Sequence, residues 1–425
     1  MKYSLNKLSN GLRVLTVPMP SLESATVTVW VKTGSRFEEK ETNGISHFLE
    51  HMVFKGSKKR PTAKIISEVV DSIGGEFNAG TSKDWTNFYI KTRMGNLETA
   101  MDVLSDMVLN PILDAKEIER EKGTIIQEIA MYEDTPMMHI GDVFEELVFD
   151  GNPLGWDTAG SPKTVKSIKK DDFVKYRDIH YHPDNMMVSV VGGIKESEAK
   201  SLVEKYFSSL KPNKGNIYKG EDFINKQKAP QFKLQTKTAE QAHLILGFTS
   251  EGRNYEGKFA QSLLATILGG GMSSRMFIEV RERRGLAYSI RTGMDRYQEV
   301  GYLSTYAGVN VEKADEAIAV MLEQYYGIKN LKFKIKNSEL LKAKEFLKGH
   351  LALALEDTKD VTSFFADQAL FAHEILTPEE VYKKVDKVTL EDITGEAKKL
   401  FVPERLNLAI IGPFKSGAKF VQLLK

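Results

Sequence analysis

His47, Glu50 and His51 stand in the run HFLEH, within NGISHFLEHMVFKG. On a helix, His47 and His51 lie one turn apart on one face, with Glu50 beside them. Two imidazoles at that spacing can grip one transition metal, and a neighbouring carboxylate can take a proton from water bound to it. The flanking sequence supports the helix. Asn43-Gly44 precedes it, Ser46 lies near its start, and Ile45, Phe48, Leu49, Met52 and Val53 supply apolar faces. Two histidines do not complete a hydrolytic zinc site, which takes three protein ligands and keeps a position for water.

Composition narrows the third ligand. The chain has no Cys, so thiolate ligation and disulfides are both excluded. The other histidines (His139, His180, His182, His243, His350, His373) are scattered, and none repeats the paired spacing. A carboxylate is the natural partner. The acidic stretch DAKEIEREKGTIIQEIAMYED, Asp114 to Asp134, reads as a long helix with Asp114 as N-cap and Glu117 in its first turn. Glu121 and Glu128 are two turns apart on one face with Ile125 between them, and periodicity alone does not choose between them. Glu117, Glu119 and Glu133 read as solvated charges.

Together HFLEH and the later EKGTIIQE resemble the pitrilysin family of zinc metallopeptidases. The likeness is to the small-subunit branch that includes mitochondrial processing peptidase and its bacterial relatives. The family pattern is His-x-x-Glu-His, the inverted (inverzincin) order, then a long spacer, then Glu, six residues, Glu. The likeness extends from LSNGLRV near the start to the closing LNLAIIGP. It implies a zinc endopeptidase with one Zn2+ per chain, bound by His47, His51 and Glu128, and with Glu50 as general base. Glu121 would fix a ligand imidazole through its ring N–H.

The resemblance assigns further residues. GGGMSSRMFIEVRERRGLAYSIRT contains Arg281 and Tyr288, matching a pair that relatives place over the active site to orient substrate and stabilise the oxyanion. Taken alone, Arg281 reads as part of a solvated charged run and Tyr288 as strand packing. In GGEFNAGTSKDWTNFYIKT, Asn78 and Ala79 match an exposed edge strand that pairs with extended substrate backbone. Such pairing reads little side-chain sequence and favours short or unfolded peptides. Phe54 resembles a wall of the pocket beside the scissile bond, with core packing as its plain alternative. Gly269-Gly270-Gly271 lacks the Gly-Lys-Ser/Thr of a phosphate loop and reads as a flexible helix boundary.

The elements that must position these residues form a duplicated α+β chain. ATVTVWVKTGSRFEEKETNGISHFLEH from Ala25 resembles AHLILGFTSEGRNYEGKFAQSLLATIL from Ala242, and the segment from Pro162 resembles that from Pro378. The expectation is two homologous halves, each a mostly antiparallel sheet packed with helices. They comprise an N-terminal zinc-binding domain at 1–212, a linker at 213–230, and a C-terminal domain at 231–425 carrying the Arg/Tyr pair. At the repeat of the zinc motif the second half reads LLATILGGGMSS, without His, so only the first half holds metal. In heterodimeric relatives the zinc motif and the Arg/Tyr pair sit on different subunits. This chain holds both, so a homodimer with the active site completed in trans is expected.

Of 425 residues, 59 are basic and 58 acidic, for a net charge of +1, which favours neither nucleic acid nor a membrane surface as partner. No stretch approaches the ~18 apolar residues of a membrane helix. The start, MKYSLNKLSNGLRVLTV, has neither a secretion signal's apolar core nor a transit peptide's pattern. The absence of Cys fits a reducing cytoplasm. Two other function classes stand beside the peptidase: a non-catalytic processing-peptidase-like subunit, and a peptide-binding module with structural zinc.

Overall fold

In a computed structural model, which describes residues 1–212 and 220–425, the chain is α+β, with two sheets each packed against helices. Of the expected linker 213–230, residues 213–219 lie outside the described residues.

The first sheet comprises β1 (Ser4–Lys7), β2 (Arg13–Pro18), β3 (Ser24–Val31), β4 (Glu76–Thr81), β5 (Thr86–Arg93) and β6 (Met186–Gly192). Their order across the sheet is β1-β2-β6-β3-β5-β4. Alternation in β3 shows why both faces are covered. Ala25, Val27, Val29 and Val31 enter one apolar core. Thr26, Thr28 and Trp30 point the other way and are nonetheless buried.

The second sheet comprises β7 (Gln231–Thr236), β8 (Gln241–Glu251), β9 (Ala287–Arg296), β10 (Val300–Asn310) and β11 (Leu406–Gly412), in the order β7-β11-β8-β10-β9. It repeats the first sheet without β1. In each, one parallel pair (β2 with β6, β7 with β11) borders antiparallel strands, and the strand after the motif-position helix (β4, β9) forms the edge. The duplication read from the sequence is thus repeated in strand order and direction.

The compact units do not follow the expected boundaries at 212 and 231. One unit holds Met1–Ala130, Trp156–Glu221 and Leu353–Thr377; the other holds Met131–Gly155, Asp222–Ala352 and Pro378–Lys425. Each therefore takes in a helix from the opposite half of the sequence. In the first unit, helix Thr358–Phe371 lies on β2, β3 and β6. Thr358 bonds Thr26 hydroxyl to hydroxyl at 2.7 Å, and Arg13 donates to the Ala369 carbonyl at 2.8 Å. In the second unit, helix Pro136–Val148 lies on β7, β8 and β11. There Ile140, Val143 and Phe144 form a separate core with Ala409 and Ile411. The physical reason is common to both: a strand buries side chains on alternate sides, so a sheet whose second face is not polar must be covered there too.

The metal-motif half therefore depends on residues far along the chain. Phe365 on the borrowed helix is fully buried, with Tyr3 5.2 Å away ring to ring. Phe365→Ala is expected to lower the stability of the first unit by about 3–5 kcal/mol, read as a fall in the denaturation midpoint. A change below about 1 kcal/mol would show that the helix is not integral to that unit.

Candidate metal centre

The motif helix spans Ile45–Val53, and its start is built by residues upstream. Gly44, at the N-cap, has φ +97°, and a Cβ there would stand 2.5 Å from the Ala159 carbonyl oxygen. Only glycine meets both demands. With no side chain at the cap, the helix is capped by Glu38, fully buried. Its carboxylate accepts from the Gly44 N–H at 2.7 Å, the Ser46 N–H at 2.8 Å and the Asn43 amide at 2.8 Å. An acidic group there is favoured by the unpaired N–H groups and the helix dipole. Burial still pushes the Glu38 carboxyl up to about 7, against the pull of these donors.

Helix periodicity then brings His47 and His51 together, their Nε2 atoms 3.2 Å apart. The second expected helix runs Ala115–Asp134, with Asp114 accepting from the Lys116 and Glu117 N–H groups as its cap. Its buried face carries Ile125 and Glu121, with half-buried Glu128 two turns on from Glu121. The two glutamates occupy different places. Glu128 faces the imidazole Nε2 atoms, at 3.7 Å from His47 and 3.5 Å from His51. Glu121 lies behind the site, with Oε1 accepting from His51 Nδ1 at 2.9 Å and Oε2 paired with Lys55 Nζ at 2.6 Å. Burial would raise the Glu121 carboxyl, but the His51 and Lys55 bonds outweigh it and hold it below the usual carboxylate range.

Among the described residues, His47, His51 and Glu128 are the one His/Cys/Asp/Glu group able to hold a metal, their ligand atoms all within 4.8 Å of one another. Protein ligands about 2.0–2.1 Å from a tetrahedral ion stand roughly 3.3 Å apart; the two imidazole nitrogens are 3.2 Å apart, and Glu128 Oε1 and Oε2 lie 3.7 Å from His47 and 3.5 Å from His51, close to that separation. The donors fit as well. By giving its Nδ1–H to Glu121, His51 keeps the Nε2 lone pair for the ligand side. Burial, with His51 adding to it, lowers the His47 pKa to about 4, so this imidazole is neutral at neutral pH, as ligation requires. His47 Nδ1 is buried with no hydrogen-bond partner among the described residues.

Glu50 projects beside this group, and its Oε2 accepts from the Thr81 hydroxyl at 2.5 Å. Burial raises its carboxyl above the usual range. Thr81 and His51 draw it down, and Glu128 adds to the rise. Thr81 closes β4, the edge strand that also bears exposed Asn78 and half-buried Ala79. Phe54 is half-buried, its ring 5.5 Å from Phe77 and 6.5 Å from Phe88. It therefore packs under β4.

Arg281 and Tyr288 lie in the second unit, next to each other. Arg281 lies in the last turn of a wide-turn (π) helical segment, Phe277–Glu282, and its guanidinium sits 4.8 Å from the Phe277 ring and 5.5 Å from the Tyr288 ring. Tyr288, on edge strand β9, is 77% exposed, too exposed for the packing role that its sequence context allows. Gly269, by contrast, ends its helix in close contact: a Cβ there would meet the Thr292 backbone nitrogen at 2.5 Å.

Three residues that bond the site side chains or cap their helix, Lys55, Glu38 and Thr81, are absent from the sequence reading. Lys55 was detectable by its spacing, four residues beyond His51 and just past the end of the motif helix. Glu38 and Thr81 act across loop and strand and carry no local signal.

Comparison with known proteins places these residues in context. The family model described as "Insulinase (Peptidase family M16)" matches residues 13–161, and "Peptidase M16 inactive domain" matches 167–347. A Bacillus subtilis protein named "Uncharacterized zinc protease YmxG" is 36% identical over 95% of this chain and 97% of its own length. A zinc protease of Rickettsia felis, likewise named uncharacterized, is 36% identical over 97% and 98%. The crystal structure of a protease from Helicobacter pylori shares the fold at TM-score 0.91, with 24% identity, covering 97% of this chain and all of that one (100%).

The helix cap gives a direct prediction. Glu38→Ala leaves buried donors without an acceptor and should cost about 2–4 kcal/mol of stability. The Gly44 and Ser46 amides should then exchange hydrogen faster. Unchanged stability and exchange would show that the cap is dispensable.

Proposed function

The chain belongs to the M16 peptidase family, and from that premise we propose that it is a zinc-dependent endopeptidase acting on short or unfolded peptides. One observation carries the reading: His47, His51 and Glu128 converge at zinc-ligand separations with the Glu50 carboxylate alongside. Zinc held by these residues would supply Lewis acidity and lower the pKa of bound water toward about 7. Glu50 takes the proton as water attacks the scissile carbonyl and returns it to the leaving amine. Glu121, backed by Lys55, keeps the His51 ring oriented.

The free edge of β4 receives the substrate as an added strand, with Asn78 and Ala79 in register with it. Phe54 supports that strand and walls the adjoining pocket. Arg281 and Tyr288 stabilise the developing oxyanion. We further propose a homodimer in which that pair serves the centre of the partner protomer. No helix among the described residues is long and apolar enough to cross a membrane, and the cysteine-free composition fits a cytoplasmic site of action.

Glu50→Gln should retain zinc and lose turnover by about 10²–10⁴-fold, because an amide cannot act as the base. His47→Ala, His51→Ala and Glu128→Ala should lose the metal. Metal content and peptide cleavage, measured together, check both, and wild-type turnover by Glu50→Gln would refute the assignment. For the dimer, an Arg281→Ala, Tyr288→Phe protomer mixed with a Glu50→Gln protomer should regain cleavage. Confirmed heterodimers that stay inactive would exclude completion in trans.

A further inference from the structure

The Glu50 side chain has three rotatable torsions, so something must hold its carboxylate toward the metal centre. Among the described residues it has a single hydrogen-bond partner, the Thr81 hydroxyl, 2.5 Å from Oε2. That contact engages Oε2, and Oε1 has no hydrogen-bond partner among the described residues.

Thr81 is itself firmly placed. Its β-branched side chain has restricted χ1 freedom. Its backbone pairs with Thr86 in the β4–β5 hairpin. The turn that follows is closed by the Ser82 N–H on the Trp85 carbonyl at 2.8 Å. It is tied to the segment before the motif helix by Ser35 N–H on the Ser82 carbonyl at 3.1 Å and Arg36 N–H on the Lys83 carbonyl at 3.2 Å. Beneath it lies the Arg36–Asp84 ion pair, 3.1 Å apart, with side chains 2% and 0% exposed. Among the described residues, no strand lies beside the far edge of β4.

We propose that Thr81 is a positioning residue for the general base, orienting Glu50 from the same edge strand that takes up the substrate backbone. The inference rests on the peptidase reading and adds a coupling to it. Backbone pairing along β4 steadies the strand whose last hydroxyl aims the base, so substrate docking and base alignment share one element. Interactions of this kind are expressed in kcat more than in KM.

Thr81→Val removes the hydroxyl at nearly constant shape. It should lower kcat by about tenfold or more, part of the roughly 10²–10⁴ that general-base catalysis contributes, with KM changed less than about twofold. Zinc content should stay at the wild-type level. The affinity of an uncleaved peptide for the Glu50→Gln protein should be the same with and without Thr81→Val. Thr81→Ser, which keeps the donor, should restore kcat to within about threefold. An unchanged kcat, a rise in KM alone, loss of zinc, or equal impairment in the serine variant would each overturn the inference. A zinc-loaded wild type that cleaves no peptide would overturn the peptidase reading itself, whereas cleavage indifferent to Thr81→Val overturns this inference alone.

Discussion

Two imidazole nitrogens and a carboxylate are pressed together at the motif helix. His51, donating Nδ1–H to Glu121, turns a bare Nε2 lone pair toward His47 Nε2 at 3.2 Å. The Glu128 carboxylate closes the group at 3.5 and 3.7 Å. Acceptors at such distances repel unless a cation or proton lies among them. A divalent ion at this group would turn that convergence into a gain, and the surrounding structure maintains it. Lys55 and His51 together keep Glu121 ionised, so the tautomer that aims His51 inward is enforced from behind.

The fold maintains the convergence by fixing both helices. The motif helix is anchored at its start by Glu38 and by the turn at Gly44, where the chain meets the Ala159 backbone. Ser46 adds a hydroxyl contact with buried Tyr176 at 2.7 Å. The long helix is held by Ile118, Ile125 and Ile129 in the same core as Phe48, Leu49 and Met52 of the motif helix. The motif helix turns Phe48, Leu49 and Met52 to this core and His47 and His51 away from it, whereas the long helix carries Glu121 and Glu128 beside Ile125, so that site and core are interdependent.

Much of this was legible in the sequence because it is local and periodic. A turn of 3.6 residues puts His47 over His51 and Glu121 in line with Glu128, and valine–threonine alternation marks β3. The duplication was visible because strand-turn-helix units repeat with the same composition, and the two sheets repeat the same strand order. Periodicity alone left Glu121 and Glu128 equivalent. The structure separates them by distance, one at Nδ1 of His51 and the other facing both Nε2 atoms. The exchanged helices were not legible, since nothing local in Thr358–Phe371 says that it covers β6 together with β2 and β3, which lie more than 300 residues earlier. Nor was the role of Glu38, because a buried carboxylate that caps a helix from a preceding loop looks in sequence like any loop charge.

The central claim is that peptide hydrolysis depends on one ion at the His47–His51–Glu128 group. Its most direct test starts with protein stripped by a chelator. Zinc is then titrated back while cleavage of an unfolded polypeptide is followed by mass spectrometry. Cleavage should be abolished by stripping, rise linearly with added zinc and level off at one equivalent per chain. Cleavage that survives stripping, or a zinc-saturated protein that leaves the polypeptide intact, would contradict the account.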